Sequence, residues 1–397
     1  MWHVRRKAER RAPRPRRWPA PAPRRIMDPM RKHAPVARGA FGRSILSWFD
    51  AARRDLPWRR TTDPYAIWVS EMMLQQTQVA RVAEYWPRFM GRFPTVERLA
   101  AAPLDDVLAA WSGLGYYRRA RSLHEAARAV AAVGSGAIPA TSRELRRLPG
   151  VGEYTAAAVA SIAFGEVIPV LDANVARVLG RMLALRVDPA TSVGRRRLLG
   201  EAAKLVSEER PGDWNQAMME LGAVVCLPAS PRCPECPVRR HCLGRRADPL
   251  AYPARGRRDA RLEIIEAVAF VERRKRVLLV RGAHPRGWWR GLWTLPRCGR
   301  GSGDPAKALA AHVRRVSGLS CRFDDGPTEM RYSVTRHRVA MLVYRASSAA
   351  GGVRRGTSAR WFDVTALEDV GVPAPDRRTI ALALGAGEAT PRGRRRR

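Results

Sequence analysis

The 397-residue chain has two parts that differ in the spacing of their apolar residues. From residue 41 to about 247, apolar side chains recur every three or four positions, which is the spacing of amphipathic helices. Prolines interrupt this pattern at positions where helices are expected to end: Pro57, Pro94, Pro103, Pro149 and Pro169. The pattern predicts an all-helical first part.

The second part has a different pattern. Residues 246–262 are rich in arginine, proline and alanine without periodicity, which is typical of a linker. Beyond them, apolar and β-branched runs at 264–271, 276–281 and 338–344 predict strands, and one stretch at 306–316 predicts a helix. We therefore expect a small α+β domain after the helical one.

Composition adds two basic ends to this organisation. The predicted segments are a basic leader at 1–40, a helical domain at 41–245, the linker at 246–262, an α+β domain at 263–386 and a basic tail at 387–397. Both ends are arginine-rich and are expected to be disordered. The formal net charge of +37 indicates a polyanionic partner, either nucleic acid or an acidic membrane face.

Four cysteines with short spacing form the strongest candidate for a metal centre. Six, two and five residues separate Cys226, Cys233, Cys236 and Cys242. Such a cluster fits zinc or an iron–sulfur cube about equally, and four unrelated buried thiols are the alternative. Only Cys298 and Cys321 lie elsewhere, and we see no secretory signal or membrane-length apolar run. We expect a cytoplasmic protein, without mitochondrial targeting.

Three further features have candidate chemistry and an ordinary structural alternative. Glycines at 150 and 152, in Leu-Pro-Gly-Val-Gly, would let backbone amides approach a phosphate, although a simple turn would look similar. Asp172 could be a functional acid or only a helix N-cap. Glu71 lies in an apolar, amide-rich stretch, where burial would raise its pKa and let it donate a proton; a first-turn glutamate favoured by the helix dipole is the alternative.

Taken together, these features resemble the adenine DNA glycosylases of the MutY type. That family belongs to the helix-hairpin-helix superfamily, which also contains endonuclease III. The resemblance runs from about residue 45 to 245, and more weakly to about 385, through Leu-Pro-Trp-Arg at 56–59, Ser-Glu-Met-Met-Leu-Gln-Gln-Thr-Gln at 70–78, Gly-Leu-Gly-Tyr-Tyr at 113–117, the hairpin at 148–152, Leu-Asp-Ala-Asn-Val at 171–175, Asn-Gln-Ala-Met-Met-Glu-Leu-Gly at 215–222 and the four cysteines. It implies a structural 4Fe-4S cluster on those cysteines.

The resemblance also assigns roles in catalysis. Glu71 would protonate adenine N7, and Asp172 would stabilise the oxocarbenium-like sugar, with Asn174 and Tyr154 supporting them. Bifunctional relatives have a lysine where this chain has Tyr154, and tyrosine cannot form an imine. The chain is therefore expected to be monofunctional. Alternatives are an endonuclease III-like pyrimidine glycosylase with lyase activity, or a non-catalytic DNA-binding module.

Further residues match family positions that bind DNA. The expected partner is double-stranded DNA with adenine opposite 8-oxoguanine or guanine, bound by a monomer, and the adenine must be flipped out of the duplex. Trp58, Arg59 and Glu220 would line the adenine pocket, and the glycines of the hairpin would contact phosphate. The residues expected to wedge the duplex and touch the opposite base are Leu74, Gln75, Gln76, Thr77 and Tyr116.

The second domain resembles the Nudix-like oxoguanine-reading domain of this family, through Gly-Leu-Trp-Thr-Leu-Pro at 291–296. Residues 311–319, aligned with the magnesium-binding helix of Nudix hydrolases, contain no carboxylate, so recognition is expected rather than hydrolysis. Where the family has Phe-Ser-His, this chain has Val334, Thr335 and Arg336, with His337 next. Thr335 and Arg336 are therefore the candidate lesion-reading residues.

Overall fold

The structure is a computed structural model that describes residues 38–385, apart from 135, 255, 257–259, 283, 285, 300–302 and 325. The predicted basic tail, and all but the last three residues of the predicted leader, lie outside this range. Within it, the predicted fold class is confirmed, because helices come first and a mixed α+β arrangement follows. No helix in these residues has the length and apolarity needed to cross a membrane.

The first part consists of α-helices joined by short loops. Their bounds are Arg38–Ala52 (α1), Pro64–Leu74 (α2), Val79–Arg92 (α3), Val96–Ala101 (α4), Leu104–Ala110 (α5), Arg118–Ala132 (α6), Ser142–Leu145 (α7), Glu153–Phe164 (α8), Ala173–Met182 (α9), Ser192–Leu205 (α10) and Pro211–Val224 (α11). A 3-10 helix at Pro57–Arg59 precedes α2. Each predicted proline break falls between two α-helices.

Helices α2 and α8 lie at the centre of this part and pack on each other. Nine consecutive residues of α2, 65–73, are buried, so the helix is surrounded on every side. Trp68 within it is fully buried. Removing such a side chain typically costs about 3–5 kcal/mol. Both helices are therefore rigid supports for the side chains they present.

The segment predicted as an irregular linker is partly ordered. Short 3-10 helices occupy Gly244–Arg246 and Pro249–Ala251. The Pro249 carbonyl accepts a hydrogen bond of 2.9 Å from the buried Arg181 on α9, and an added Cβ at Gly244 would lie 2.3 Å from the Arg181 carbonyl. The first residues of the predicted linker therefore form short 3-10 helices and pack on the helical part.

The described residues of the second part form two sheets, two α-helices and a 3-10 helix at Val364–Asp369. The strands are Leu262–Phe270 (β1), Glu272–Arg273 (β2), Arg276–Arg281 (β3), Trp293–Thr294 (β4), Arg297–Gly299 (β5), Ser320–Phe323 (β6), Thr328–Val334 (β7), His337–Ala350 (β8) and Ala359–Asp363 (β9); the helices are Pro305–Ser317 (α12) and Ala374–Ala383 (α13). One sheet has the order β5-β1-β8-β6, with β7 also on β8, and β1 runs parallel to β8. The other has β2-β3-β4, with β9 on β3.

The prediction of a single helix here is wrong, because α13 was missed. This helix and the segment before it pack on the helical part. The Val372 carbonyl accepts hydrogen bonds from Ser112 Oγ at 2.9 Å and from the Tyr117 hydroxyl at 3.4 Å. Leu292 is buried within the helical core. The two parts therefore share an interface beside the loop that joins α5 to α6.

Candidate active site

Glu71 lies in the last turn of α2 and is only 4% exposed. The alternative of a first-turn glutamate favoured by the helix dipole is therefore wrong. The helix begins much earlier, where Asp63 accepts hydrogen bonds from the amides of Tyr65 and Ala66 and Pro64 takes the first position. A carboxylate near a helix C-terminus meets the negative end of the dipole, so this position disfavours the charged form.

Burial dominates the electrostatics of Glu71. It raises the pKa of this carboxyl to about 7, with a smaller contribution from the nearby Asp172. The Tyr154 hydroxyl donates a hydrogen bond of 2.9 Å to Glu71 Oε2, and this bond together with the charge of Arg59 limits the rise. A substantial fraction of Glu71 is therefore protonated at neutral pH.

Asp172 is both an N-cap and a residue of the site. Its Oδ1 accepts a hydrogen bond of 2.7 Å from the Val175 amide at the start of α9, and its Oδ2 accepts one of 3.0 Å from Asn174 Nδ2. Burial raises the pKa of Asp172, while these two bonds oppose the rise because they favour the carboxylate. The capping geometry holds the carboxyl in one orientation.

These side chains face one cavity of about 190 Å³. The predicted residues that line it are Trp58, Arg59, Glu71, Leu74, Thr77, Tyr154, Asp172, Asn174 and Glu220. Four lining residues with polar or polarisable side chains were not predicted: Arg54, Ser70, Gln216 and Met219. Gln216 and Met219 lie within the motif at 215–222 on α11, which also contains the predicted Glu220. That motif could therefore have indicated both residues.

Glu220 is buried and forms ion pairs with two arginines. Arg54 donates to both carboxylate oxygens at 2.7 Å, and Arg59 Nη2 donates to Oε2 at 2.9 Å. Burial alone would raise the pKa of Glu220, but these cations outweigh it and lower the pKa to about 2. With the Arg54 amide also bonded to Oε1, the carboxylate already accepts four hydrogen bonds, about its full capacity. Its direct effect is to hold the two guanidinium groups at the cavity wall.

Two loops lie beside this cavity. Gln75 Nε2 donates to Thr155 Oγ1 at 2.9 Å, and Gln76 has a positive φ of 55°. Tyr116, on the loop between α5 and α6, also has a positive φ, of 48°, and is 45% exposed. Gln75, Gln76 and Tyr116 are not among the described residues that line the cavity. These three residues lie around it.

The glycine hairpin precedes α8, the helix that bears Tyr154. Gly150 has φ of 73°, and an added Cβ would lie 2.2 Å from Ser122 Cβ, so packing within the protein requires glycine there. Gly152 is the residue before α8, and an added Cβ would have open space. Open space beside a helix N-terminus fits a site where an external anion approaches the backbone amides.

The four clustered cysteines surround a second, small cavity of about 30 Å³. None of the described cysteines forms a disulfide. Burial first, and then the other three thiols, raise the pKa of Cys236 to about 11. In the described residues, no three His, Cys, Asp or Glu side chains converge as the ligands of a single metal ion do. Arginines line the same cavity: Arg181, Arg232, Arg239 and Arg245.

Arg177 on α9 joins the acid site to the cysteine cluster, a relationship that was not predicted. Its Nη2 donates to Asn174 Oδ1 at 2.7 Å, and its Nε donates to the Cys226 carbonyl at 2.8 Å. Asn174 in turn donates to Asp172. A continuous chain of hydrogen bonds therefore runs from the Asp172 carboxylate to the backbone of the first cysteine.

The candidate lesion-reading residues lie far along the chain, in the second part. Thr335 and Arg336 form the two-residue turn between β7 and β8, closed by the pair Val334 and His337. Thr335 has φ of 52°, and its hydroxyl donates to the Val334 carbonyl at 2.7 Å. Neither turn residue is among the described residues that line the acid-containing cavity.

Residues 69–201 match the family model for HhH-GPD superfamily base excision DNA repair proteins. This range contains Glu71, Tyr154 and Asp172 on one helical scaffold. The site and the fold of these residues therefore agree with that superfamily.

The relatives are more specific. The chain is 46% identical to the adenine DNA glycosylase of Mycolicibacterium smegmatis over 211 residues, which cover 53% of this chain and 70% of that protein. It is 51% identical to the human adenine DNA glycosylase over 215 residues, which cover 52% of this chain. The chain belongs to the adenine DNA glycosylase family. The match spans only 39% of the human protein's own length.

Two solved structures are each similar to a portion of this chain. A thermostable thymine-DNA glycosylase is 31% identical, with a TM-score of 0.48, and covers 52% of this chain and 95% of its own. A MutT protein from Methanosarcina mazei is 16% identical, with a TM-score of 0.28, and covers 32% of this chain and 96% of its own.

Proposed function

We propose that this chain is a monofunctional adenine DNA glycosylase, which removes adenine opposite 8-oxoguanine or guanine from double-stranded DNA. The observation that carries the proposal is a pair of carboxyls, the buried Glu71 and the partly buried Asp172, which face one cavity with different hydrogen-bond partners. Asp172 accepts a hydrogen bond from a backbone amide. Glu71 accepts one from the Tyr154 hydroxyl instead, and its pKa is raised to about 7. Such a pair supplies one proton donor and one anion.

The pair divides the reaction between its members. Protonated Glu71 donates its proton to N7 of the adenine, because a neutral base leaves more readily than an anionic one. The Asp172 carboxylate faces the sugar and stabilises the positive charge that develops on it. Glu71, now ionised, then accepts a proton from the water that attacks the sugar. The hydrogen bond from Tyr154 stabilises that ionised form.

The two arginines paired with Glu220, Arg54 and Arg59, support selection of the base. Arg59 is held against Glu220 at 2.9 Å and against Gln216 Oε1 at 3.2 Å, so its position is set before the base enters. A preorganised donor next to an aromatic wall, here Trp58, favours a flat base with ring nitrogen acceptors. Binding energy in this pocket offsets the cost of flipping the base, a few kcal/mol.

The surrounding surfaces would hold the duplex. Amides at the start of α8, beyond Gly150 and Gly152, are suited to a phosphate. The loops with Gln75, Gln76, Thr77 and Tyr116 are proposed to fill the gap left by the flipped base and to contact the base opposite. Thr335 and Arg336 are proposed to read the oxidised guanine from the other side.

A 4Fe-4S cluster is the group that we propose for the four cysteines. A cavity lined by four thiols could hold either a zinc ion or a 4Fe-4S cluster, and the resemblance of the cysteine spacing to that of the adenine DNA glycosylases favours the cluster. Four thiolates on one centre are anionic, and the arginines at the cavity wall offset that charge. When bound, the cluster would join residues 226–242 into one structural unit beside α9.

The proposal is tested with four duplexes that place adenine opposite 8-oxoguanine, guanine, cytosine or thymine. Each is incubated with the full chain and then treated with alkali, which cleaves the strand where a base is missing. Cleavage at adenine in the first two duplexes, only after alkali, is the expected result. Cleavage without alkali would indicate a lyase, and no base loss from any duplex would contradict the proposal. Glu71→Gln is the inactive control.

The cluster is tested separately by absorption and metal analysis of the purified protein. A yellow-brown protein with about four irons per chain is expected for a 4Fe-4S cluster. A colourless protein with one zinc per chain would contradict it.

A further inference from the structure

Arg119 on α6 is a buried cation that neither the acid site nor the cysteine cluster uses. It is 8% exposed, and burial lowers its pKa to about 10. No carboxylate pairs with it among the described residues; its partners are backbone and hydroxyl oxygens. Besides these oxygens, it meets the ring faces of Trp111 and Tyr116, and a buried charge without a paired anion is costly, so its position requires an explanation.

One side of the guanidinium closes the end of α2. Arg119 Nη1 donates to the carbonyl oxygens of Met72, at 2.9 Å, and Met73, at 2.7 Å, and also to that of Gln75. These carbonyls have no partner within the helix, and a cation there complements the dipole. Met72 directly follows Glu71. The same contact therefore holds the turn that carries the acid.

The other side reaches both surface loops. Arg119 Nη2 donates to Thr77 Oγ1 at 3.0 Å, to the Gly115 carbonyl at 3.1 Å and to the Leu114 carbonyl at 3.4 Å. The guanidinium carbon lies 5.4 Å from the ring centre of Tyr116. The loop after α2 and the loop before α6 therefore meet at a single side chain.

Both loops contain a strained residue. Gln76 and Tyr116 have φ of 55° and 48°, a region that residues other than glycine rarely adopt. Such conformations persist only where the surroundings hold them, and they concentrate at functional sites. The hydrogen bonds of Arg119 fall on the residues on either side of Gln76 and immediately before Tyr116.

We infer that Arg119 is a positioning residue that holds these two loops in the one arrangement able to contact the base opposite the flipped adenine. This inference rests on the function proposed above, because its effect is measured as discrimination between the bases opposite adenine. Lysine cannot replace it, because a guanidinium offers five donors in a planar fork and an ammonium only three from a point. Loss of the fork frees at least one loop while Glu71 and Asp172 keep their own partners.

The test replaces Arg119 with lysine in the full chain, with Arg128→Lys as the matched control. Arg128 is an exposed arginine on the same helix. Single-turnover rates are measured for adenine opposite 8-oxoguanine and opposite guanine. The ratio of the two rates is expected to fall about tenfold in Arg119→Lys, the size of one base-specific contact, and to stay unchanged in the control. General destabilisation would lower both rates together, so an unchanged ratio in a folded variant overturns the inference.

Hydrogen exchange supplies a second measurement that needs neither turnover nor the variant. The Thr77 amide bonds to the Leu74 carbonyl at 3.3 Å, and the Leu114 amide bonds to the Trp111 carbonyl at 3.1 Å. If Arg119 joins the loops, these two amides should have the same opening free energy in the wild type, once each exchange rate is divided by its intrinsic rate, because they belong to one opening unit. Independent exchange of the two loops overturns the inference. A wild type that releases no adenine would contradict the proposed function and leave this exchange result intact.

Discussion

The Tyr154 hydroxyl donates a hydrogen bond of 2.9 Å to Oε2 of Glu71, although 83 residues separate the two in the chain. Burial raises the pKa of Glu71, and the phenol opposes that rise. The same hydroxyl lies 3.1 Å from Met219 Sδ on α11. Tyr154 therefore has a defined part in tuning the acid, in addition to standing where bifunctional relatives have a lysine.

Replacing Tyr154 with phenylalanine should move the pH dependence of base release. The wild type needs protonated Glu71, so its rate should fall as the pH rises through about 7. Phenylalanine removes the donor that favours the carboxylate, so the pKa of Glu71 should rise and the decline should begin at higher pH. Single-turnover rates from pH 5.5 to 9, on the same duplex, check this. A decline at unchanged pH would show that the bond does not tune Glu71.

Replacing Tyr154 with lysine should introduce covalent chemistry. The new amine would lie at the cavity beside Glu71, where it can attack the sugar carbon and form an imine. Borohydride should then trap a protein–DNA complex that the wild type and Tyr154→Phe do not give. Absence of a trapped complex, in a folded variant that still binds the duplex, would show that position 154 does not face the sugar.

Glu71→Gln should abolish most base release while DNA binding remains. An amide of the same shape cannot donate the proton, and losing general acid catalysis costs at least about 10²-fold in rate. Glu84→Gln is the matched control, since Glu84 is an exposed residue on α3. Rates and duplex affinity are measured for both variants. Retained turnover in purified Glu71→Gln would refute the assignment of the acid.

Asp172→Asn separates catalysis from stability at one residue. Asparagine is as good an N-cap as aspartate, so the bond to the Val175 amide should survive and the unfolding midpoint should change little. Base release should still fall sharply, because the negative charge that faces the developing cation is lost. Thermal unfolding and single-turnover rates check the two halves. Equal losses of stability and rate would instead mean that Asp172 acts only as a cap.

The sequence was informative about helices and motifs and less informative about ends and contacts. Apolar periodicity predicted the helical part, because helices such as α3 and α6 bury one face, although α2 is buried on every side. The start of α2 was misjudged because its N-cap, Asp63 followed by Pro64, lies before the motif that drew attention to Glu71. Because Glu71 lies in the last turn of α2 and not in the first, the helix dipole disfavours its charged form instead of stabilising it.

Pairings across the chain were not predictable by the same means. Strand β7 alternates charged and partly buried residues, such as Glu329 and Arg331, and its register comes from pairing with β8. Arg119 reads in sequence as one of four basic or small residues at the start of α6. Its role is visible only where two loops from elsewhere in the chain converge on it.

Thr335 occupies the first position of the turn between β7 and β8. Two-residue turns favour glycine or asparagine at positions with positive φ, and a β-branched residue there is strained. Asparagine should therefore stabilise the chain by about 1 kcal/mol, seen as a higher unfolding midpoint. If the threonine side chain also reads the oxidised guanine, the same substitution should lower the ratio of rates opposite 8-oxoguanine and guanine. Thr357→Asn, at another turn, is the control for the kinetic effect. If Thr335→Asn is more stable and the ratio of the two rates is unchanged, Thr335 does not take part in lesion recognition, and its strained backbone has no role in reading the base.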